Sequence, residues 1–322
     1  MISGQGSRVA VAGRPSRIMR VLASFVMQGR VQALTVIVPL AVLALWFPPL
    51  GIVSSGVIGL VGLRQGGVAG LTVALLAAAG CVVIMLSAGA QPWVVLAVTF
   101  PPWLLMLLLA QLLRFSRSLP LAAGAALLLA AGAIGASHWF EVDWNGLLEP
   151  LSRSLSESQL VGPDERKALI QELGGMMPGI LGASLFLQLM LSLFLARWWQ
   201  AMLYNPGGFR AEFYRFRLPK AVAAVTLAVL VLTALGGDQL ASWPDHLAML
   251  LLAGWLLQGL ALTHALVGTK GVGRGWLTVI YLLLFLPITM LHAITMLAAA
   301  GLADAWFDFR ARIDTGNGAD AG

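Results

Sequence analysis

Charge is the scarcest property of this sequence. Only 11% of its 322 residues are Asp, Glu, Lys or Arg, against roughly 25% in a typical soluble domain. With 59% hydrophobic residues, the natural solvent for most of the chain is lipid. There is one cysteine, Cys81, which excludes an intramolecular disulfide and a cysteine-cluster metal site and reads as packing. No acid precedes residue 31, while Arg8, Arg14, Arg17, Arg20 and Arg30 do. That start fits a cytoplasmic anchor better than an organelle transit peptide, and no small-residue cleavage site follows a short apolar region. Walker A, His-Glu-x-x-His and Gly-x-Ser-x-Gly motifs are also missing. An ATP-driven pump in this one chain is thereby excluded, and no enzyme is expected. The GTKGVGRG run at 268–275 does not match a P-loop and reads as a basic turn.

What is present is a series of apolar runs: 31–47, 50–63, 67–87, 92–113, 118–139, 176–196, 220–237, 246–268 and 276–299. None holds a charge well inside it, where each would cost about 2.5–3.5 kcal/mol. The stretch from Arg30 to Gly70 sets the sidedness of everything after it, because Pro48-Pro49 divides it into two short helices rather than one. With two spans and a cytoplasmic N-terminus, 15 of the 20 basic residues lie on the cytoplasmic side and Glu212 is the only acid there. A single span would leave the two sides equal, so the positive-inside bias favours two. Pro287 interrupts the last run and leaves open one span or a hairpin, and with it the side of the C-terminus.

Local patterns fill in the segments between. Ile18, Val21, Leu22, Phe25 and Val26 share one face of a helix whose other face carries Arg17 and Arg20, a pattern that suits the membrane surface. The 140–175 segment, with seven acids and three bases, is expected outside. Asp143 is a candidate N-cap for one short helix, and a second should start at Pro163 and stop at Gly174-Gly175. Small residues four apart, at Ser55/Gly59, Gly62/Gly66/Gly70 and Ala131/Gly135, let helices approach closely.

Chemistry in such a protein is sought first among intramembrane polar residues. Gln188, Gln258 and His292 lie inside apolar runs and form the candidate solute cavity. The plainer reading makes each an interhelical contact worth about 0.6 kcal/mol. His138, His246 and His264 lie near span ends, and the four histidines show no metal-ligand spacing. No catalytic, cofactor-binding or metal-binding residue is assigned, and no cofactor is expected. The runs hold no acid, which counts against a proton- or sodium-coupled carrier acting alone.

The segment 196–220, ARWWQAMLYNPGGFRAEFYRFRLPK, interleaves aromatics with arginines around an Asn-Pro-Gly-Gly turn. Arg197, Trp198, Trp199, Asn205, Pro206, Phe209, Arg215 and Arg217 are its candidate interfacial or partner-docking residues. Beside a span the pattern fits an anchor toward anionic lipid or a docking platform, not nucleic-acid binding.

MQGRVQA at 27–33, RWWQAMLYNPGGF at 197–209 with the following EF, and GLADAWFDFRAR at 301–312 resemble the YybS-like family of uncharacterised bacterial inner-membrane proteins. More remotely, PPLGIVSSGVIGLVGLRQGGVAG at 48–70 is similar to substrate-binding (S) components of energy-coupling-factor transporters and to MreD-like cell-shape proteins. The resemblance implies a helical bundle with an S-component-like core, a small-molecule cavity facing outward and a separate membrane coupling partner. The expectation is therefore an all-α polytopic bundle of eight or nine spans in a bacterial inner membrane. A basic N-terminus covers 1–30, the transmembrane domain 31–299 and a polar tail 300–322. Its function is either a small-solute-binding or transport component with an energising partner, or a scaffold of envelope assembly or cell shape.

Overall fold

The computed structural model describes residues 17–158, 162–236, 243–269, 273 and 275–310. Arg8, Arg14, half of the 268–275 turn and the tail after Arg310 lie outside the described residues. Helix is the only regular structure among the described residues, and the helices pack as two units.

The first unit holds residues up to Gln111 together with Ser192–Glu212. It contains α1 (Arg17–Val26), α2 (Arg30–Leu43), α3 (Pro49–Gln65), α4 (Gly67–Ser87) and most of α5 (Pro92–Ser116). The end of α9 (Pro163–Tyr204) and most of α10 (Gly208–Tyr214) complete it. Pro48-Pro49 breaks the first apolar run as a proline pair should, with Pro49 opening α3. α3 is the core of this unit, for every residue from Ser54 to Leu63 is buried. Three hydrogen bonds tie it to its neighbours, while the buried Ser55 hydroxyl has no partner among the described residues. The Trp103 indole donates to the Ser54 hydroxyl at 3.3 Å, Gln111 Nε2 to the Gly62 carbonyl at 3.1 Å, and Ser192 to the Ile52 carbonyl at 3.1 Å. Gly62 and Gly70 are where α3 and α4 meet, since a Cβ on Gly70 would lie 3.2 Å from the Gly62 Cα and collide with Leu107. α1 is set off from α2 by a bend of 116°. Its Ile18, Val21 and Phe25 are exposed while Ala23 and Val26 are buried, the arrangement of a helix lying on an apolar surface.

The second unit holds Leu112–Leu191 and Phe213 onward. It contains α6 (Leu119–Trp139), α7 (Trp144–Leu147), α8 (Glu149–Ser158), most of α9, α11 (Lys220–Gly236), α12 (Trp243–Thr269), α13 (Gly275–Phe285) and α14 (Pro287–Phe307). Ser118 caps α6 and Asp143 caps α7, each accepting from a backbone N–H three residues on. α9 starts at Pro163 with Asp164 and Glu165 in its first turn. It does not stop at Gly174-Gly175 but continues for 42 residues, about 63 Å at 1.5 Å per residue. Two glycines lower helix preference by about 1 kcal/mol each, which a helix anchored over several turns on both sides absorbs. The charged first turns of α9 precede its apolar run at 176–196, so one helix serves as both surface element and span.

Among the described residues, six helices, α4, α5, α6, α9, α12 and α14, have 21 residues or more and are apolar enough to cross a membrane; a seventh is gained if α1 and α2 count as one broken span. The described residues are thus all-helical, as a polytopic protein's would be, with six or seven candidate spans by length and composition; the further crossings expected fall on shorter helices. The difference lies in short helices. α2, α3, α11 and α13 have 14, 17, 17 and 11 residues, against about 20 for a full crossing. The last run also divides differently. Leu286 is extended (φ −81°, ψ 118°), as a residue before proline prefers, and Pro287 opens a new helix that runs to Phe307. Residues 300–307, expected in the polar tail, are the end of a long apolar helix.

Candidate functional site

α12 and α14 pack along one another at closest range where two glycines face the opposite backbone. A Cβ on Gly259 would collide with the Leu297 carbonyl, and one on Gly301 with the Trp255 carbonyl. This crossing brings the Gly301 carbonyl to Gln258, whose Nε2 donates to it at 2.9 Å. The Gln258 Oε1 accepts from the Leu218 N–H at 2.8 Å. That donor is free because Pro219 keeps Leu218 out of helix. Gln258 is fully buried, and its bonds go to the protein itself.

One turn beyond Gly301 lies Asp304, fully buried in α14 and 3.4 Å from Gln258 Nε2. Its Oδ2 is 3.1 Å from Arg310 Nη2 and 3.6 Å from Arg217 Nε. Asp308 closes α14 in the left-handed region (φ 45°, ψ 58°), and that turn sends the chain back so that Arg310 reaches Asp304. Arg217 also pairs with Asp308, and Arg310 Nη1 donates to the Tyr214 carbonyl. The Asp308 hydrogen bond holds the Arg217 guanidinium above its usual range, while burial pulls Arg310 below it against the opposing pull of Asp304. Two arginines and two aspartates cancel in charge but not in bonds. Asp304 Oδ1 and Arg310 Nε are buried with no hydrogen-bond partner. Such a cluster is weak as a stabiliser yet sensitive to loss of any member.

Sequence reasoning missed this site because it ended the last span at 299. The available signal was the spacing Asp304, Asp308 and Arg310, which places two acids on one helical face followed at once by a base. Of the expected cavity residues, Gln258 belongs to this cluster, Gln188 is half-buried on α9 and His292 is exposed on α14.

Two of the four histidines meet. His138 near the end of α6 and His246 near the start of α12 lie 3.1 Å apart (Nε2 to Nδ1), and His246 Nε2 is 2.7 Å from the Gly175 carbonyl of α9. Trp243 stacks on His138 with ring centroids 4.2 Å apart. His264, at the other end of α12, packs edge-on to Phe213 and contacts the Tyr281 hydroxyl at 3.3 Å. Among the described residues no group of three or more His, Cys, Asp or Glu could hold a metal ion.

The aromatic–basic segment is partly inside the protein. Trp199 is buried and Trp198 half-buried. Arg197 forks onto the Glu212 carboxylate, with Nε to Oε2 at 2.9 Å, and reaches Gln200 at 3.2 Å. Phe194 and Phe209 pack with centroids 6.0 Å apart, and Arg64 lies over the Tyr204 ring at 4.2 Å. Asn205, Pro206 and Arg215 are exposed, whereas Arg217 serves the Asp304 cluster. No protein-family model, curated protein or solved structure matches the chain.

Proposed function

We propose that this chain is a small-solute-binding or transport component of a bacterial cytoplasmic membrane, working with a separate energising membrane partner. The observation that carries this reading is Asp304, an acid fully buried within an apolar helix. Ionisable residues inside spans are expensive and tend to mark pathways and moving parts. Arg217 and Arg310 balance Asp304 and Asp308 in charge, so the cluster acts as a latch at one end of the second unit and the driving energy comes from elsewhere. The similarity of 48–70 to S components supports the same reading by fold analogy alone, and kinship with the YybS-like family rests on its three sequence motifs. A scaffold of envelope assembly is the second reading, favoured by Gln258, whose hydrogen bonds are all made to the protein's own groups.

Purification in a mild detergent with mass spectrometry of everything retained separates the two. A coupling subunit with an ATPase, or a stoichiometric small molecule, is the expected outcome. An envelope-assembly partner without a solute would replace transport by scaffolding.

The proposed orientation has a cytoplasmic N-terminus and eight or nine crossings, with α2, α3 and α11 as short crossings and 140–175 outside. The native Cys81 is buried and gives no background. Ser154, exposed on α8, supplies the probe site. The Ser154→Cys variant is expected to react with a membrane-impermeant maleimide in intact spheroplasts. Labelling only after lysis would invert the topology.

A further inference from the structure

We propose that α1 is a docking surface for anionic phospholipid headgroups, a role that stands independently of the transport reading. Charge is divided very unevenly along the chain. Within the bounds of the first unit the sequence holds eight arginines, no lysine and one acid, Glu212. Arg197 already forks onto that acid. Arg17, Arg20 and Arg30, all exposed, therefore have no other carboxylate in their own unit to pair with. The rest of the chain, with twelve bases and thirteen acids, is nearly neutral and cannot balance them. Their counter-charge comes from outside the protein.

The geometry of α1 points to the partner that supplies it. Helical spacing sorts its residues into three stripes roughly a third of a turn apart. Ala23 and Val26 form the first and are buried, which seats the helix on its unit. Arg17, Arg20 and Ser24 form the second and are exposed. Ile18, Val21 and Phe25 form the third, and they are exposed too. A helix that only packed on its neighbours would carry one apolar stripe. A second, uncovered one calls for an apolar medium beside it. The 116° bend lays α1 across the axis of α2, so where α2 enters the bilayer both free stripes run along its surface. A phospholipid has the two matching parts side by side: acyl chain for the apolar stripe and phosphate for the guanidiniums. Arginine forks onto phosphate oxygens with paired hydrogen bonds. Nucleic acid would offer phosphate without the apolar layer.

The test uses the full chain in lipid nanodiscs, with Val21→Cys carrying an environment-sensitive fluorophore and the native Cys81 buried. In phosphatidylcholine mixed with phosphatidylglycerol the emission should shift to the blue relative to phosphatidylcholine alone, and added salt should diminish the shift by screening. Arg17→Gln together with Arg20→Gln should raise the phosphatidylglycerol fraction needed for half of the shift at least about tenfold, equivalent to about 1.4 kcal/mol. Arg153→Gln, at an exposed arginine of α8, should leave it unchanged. Equal emission in the two lipids overturns the proposal, because an apolar signal in both means that α1 rests on any bilayer and a watery signal in both means that it rests on none. A shift that survives loss of Arg17 and Arg20 overturns it as well.

Discussion

Replacing Gly259 by valine is expected to abolish folded protein in detergent, and Gly259→Ala to lower its thermal stability sharply. The reason lies in what a Cβ would meet. At most close glycines in this chain the obstacle is a side-chain end, as Met106 is at Gly59, and a side chain can turn aside. At Gly259 the obstacle is the Leu297 backbone, carbonyl first and Cα next, which moves only if the whole of α14 moves. Overpacking a filled core typically costs about 1–3 kcal/mol, and more when backbone must shift, so this substitution belongs at the upper end. Gly132, with nothing near its Cβ position, is the control. Gly132→Ala should leave the melting temperature and the size-exclusion profile unchanged. Equal melting temperatures for Gly259→Ala and Gly132→Ala would show that α12 and α14 do not cross here.

That crossing also shows what the sequence could and could not convey. Proline chemistry is local, so the break at Pro48-Pro49 and the start at Pro163 were readable, and so was the Asp143 cap. Spacing of small residues picked out Gly62 and Gly70, which do meet, but it also picked out Ala131 with Gly135, where Gly135 has only the Trp243 ring at 3.8 Å. It passed over Gly259 and Gly301, which lie on two separate helices and pair only in space. Gly174-Gly175 looked like a stop because propensity is local, whereas neighbouring helix and Asn145, laid against Gly174, decide otherwise. The histidines failed as a motif for the same reason. His138 and His246 are 108 positions apart, and no spacing rule joins them. The charged end of α14 reads as tail in the sequence because Asp304 is costly in lipid unless neutralised, and its partners Arg217 and Arg310 come from beyond the apolar run.

Removing the Asp304 carboxylate should be among the most damaging single changes in the second unit, and removing its partner with it should restore much of the loss. In Asp304→Leu the Arg310 guanidinium stays where it is, with its side chain only 11% exposed and its carboxylate gone. Leaving a buried charge without its partner typically costs about 3–5 kcal/mol. Arg217 suffers less, because it is 35% exposed and keeps Asp308. Arg310→Met in the same background removes the stranded charge and fills its volume, and buried ion pairs replaced by apolar residues of similar size are often no less stable than the original. The double variant is therefore expected to melt well above Asp304→Leu, and the interaction energy from the four-protein cycle should be large and favourable. Strictly additive losses would mean that the two side chains do not share a buried site. Transport or ligand binding, once a solute is known, separates latch from scaffold. A double variant that folds like the parent but has lost activity shows that the charges work in function, whereas one that keeps activity shows that they only hold α14 in place.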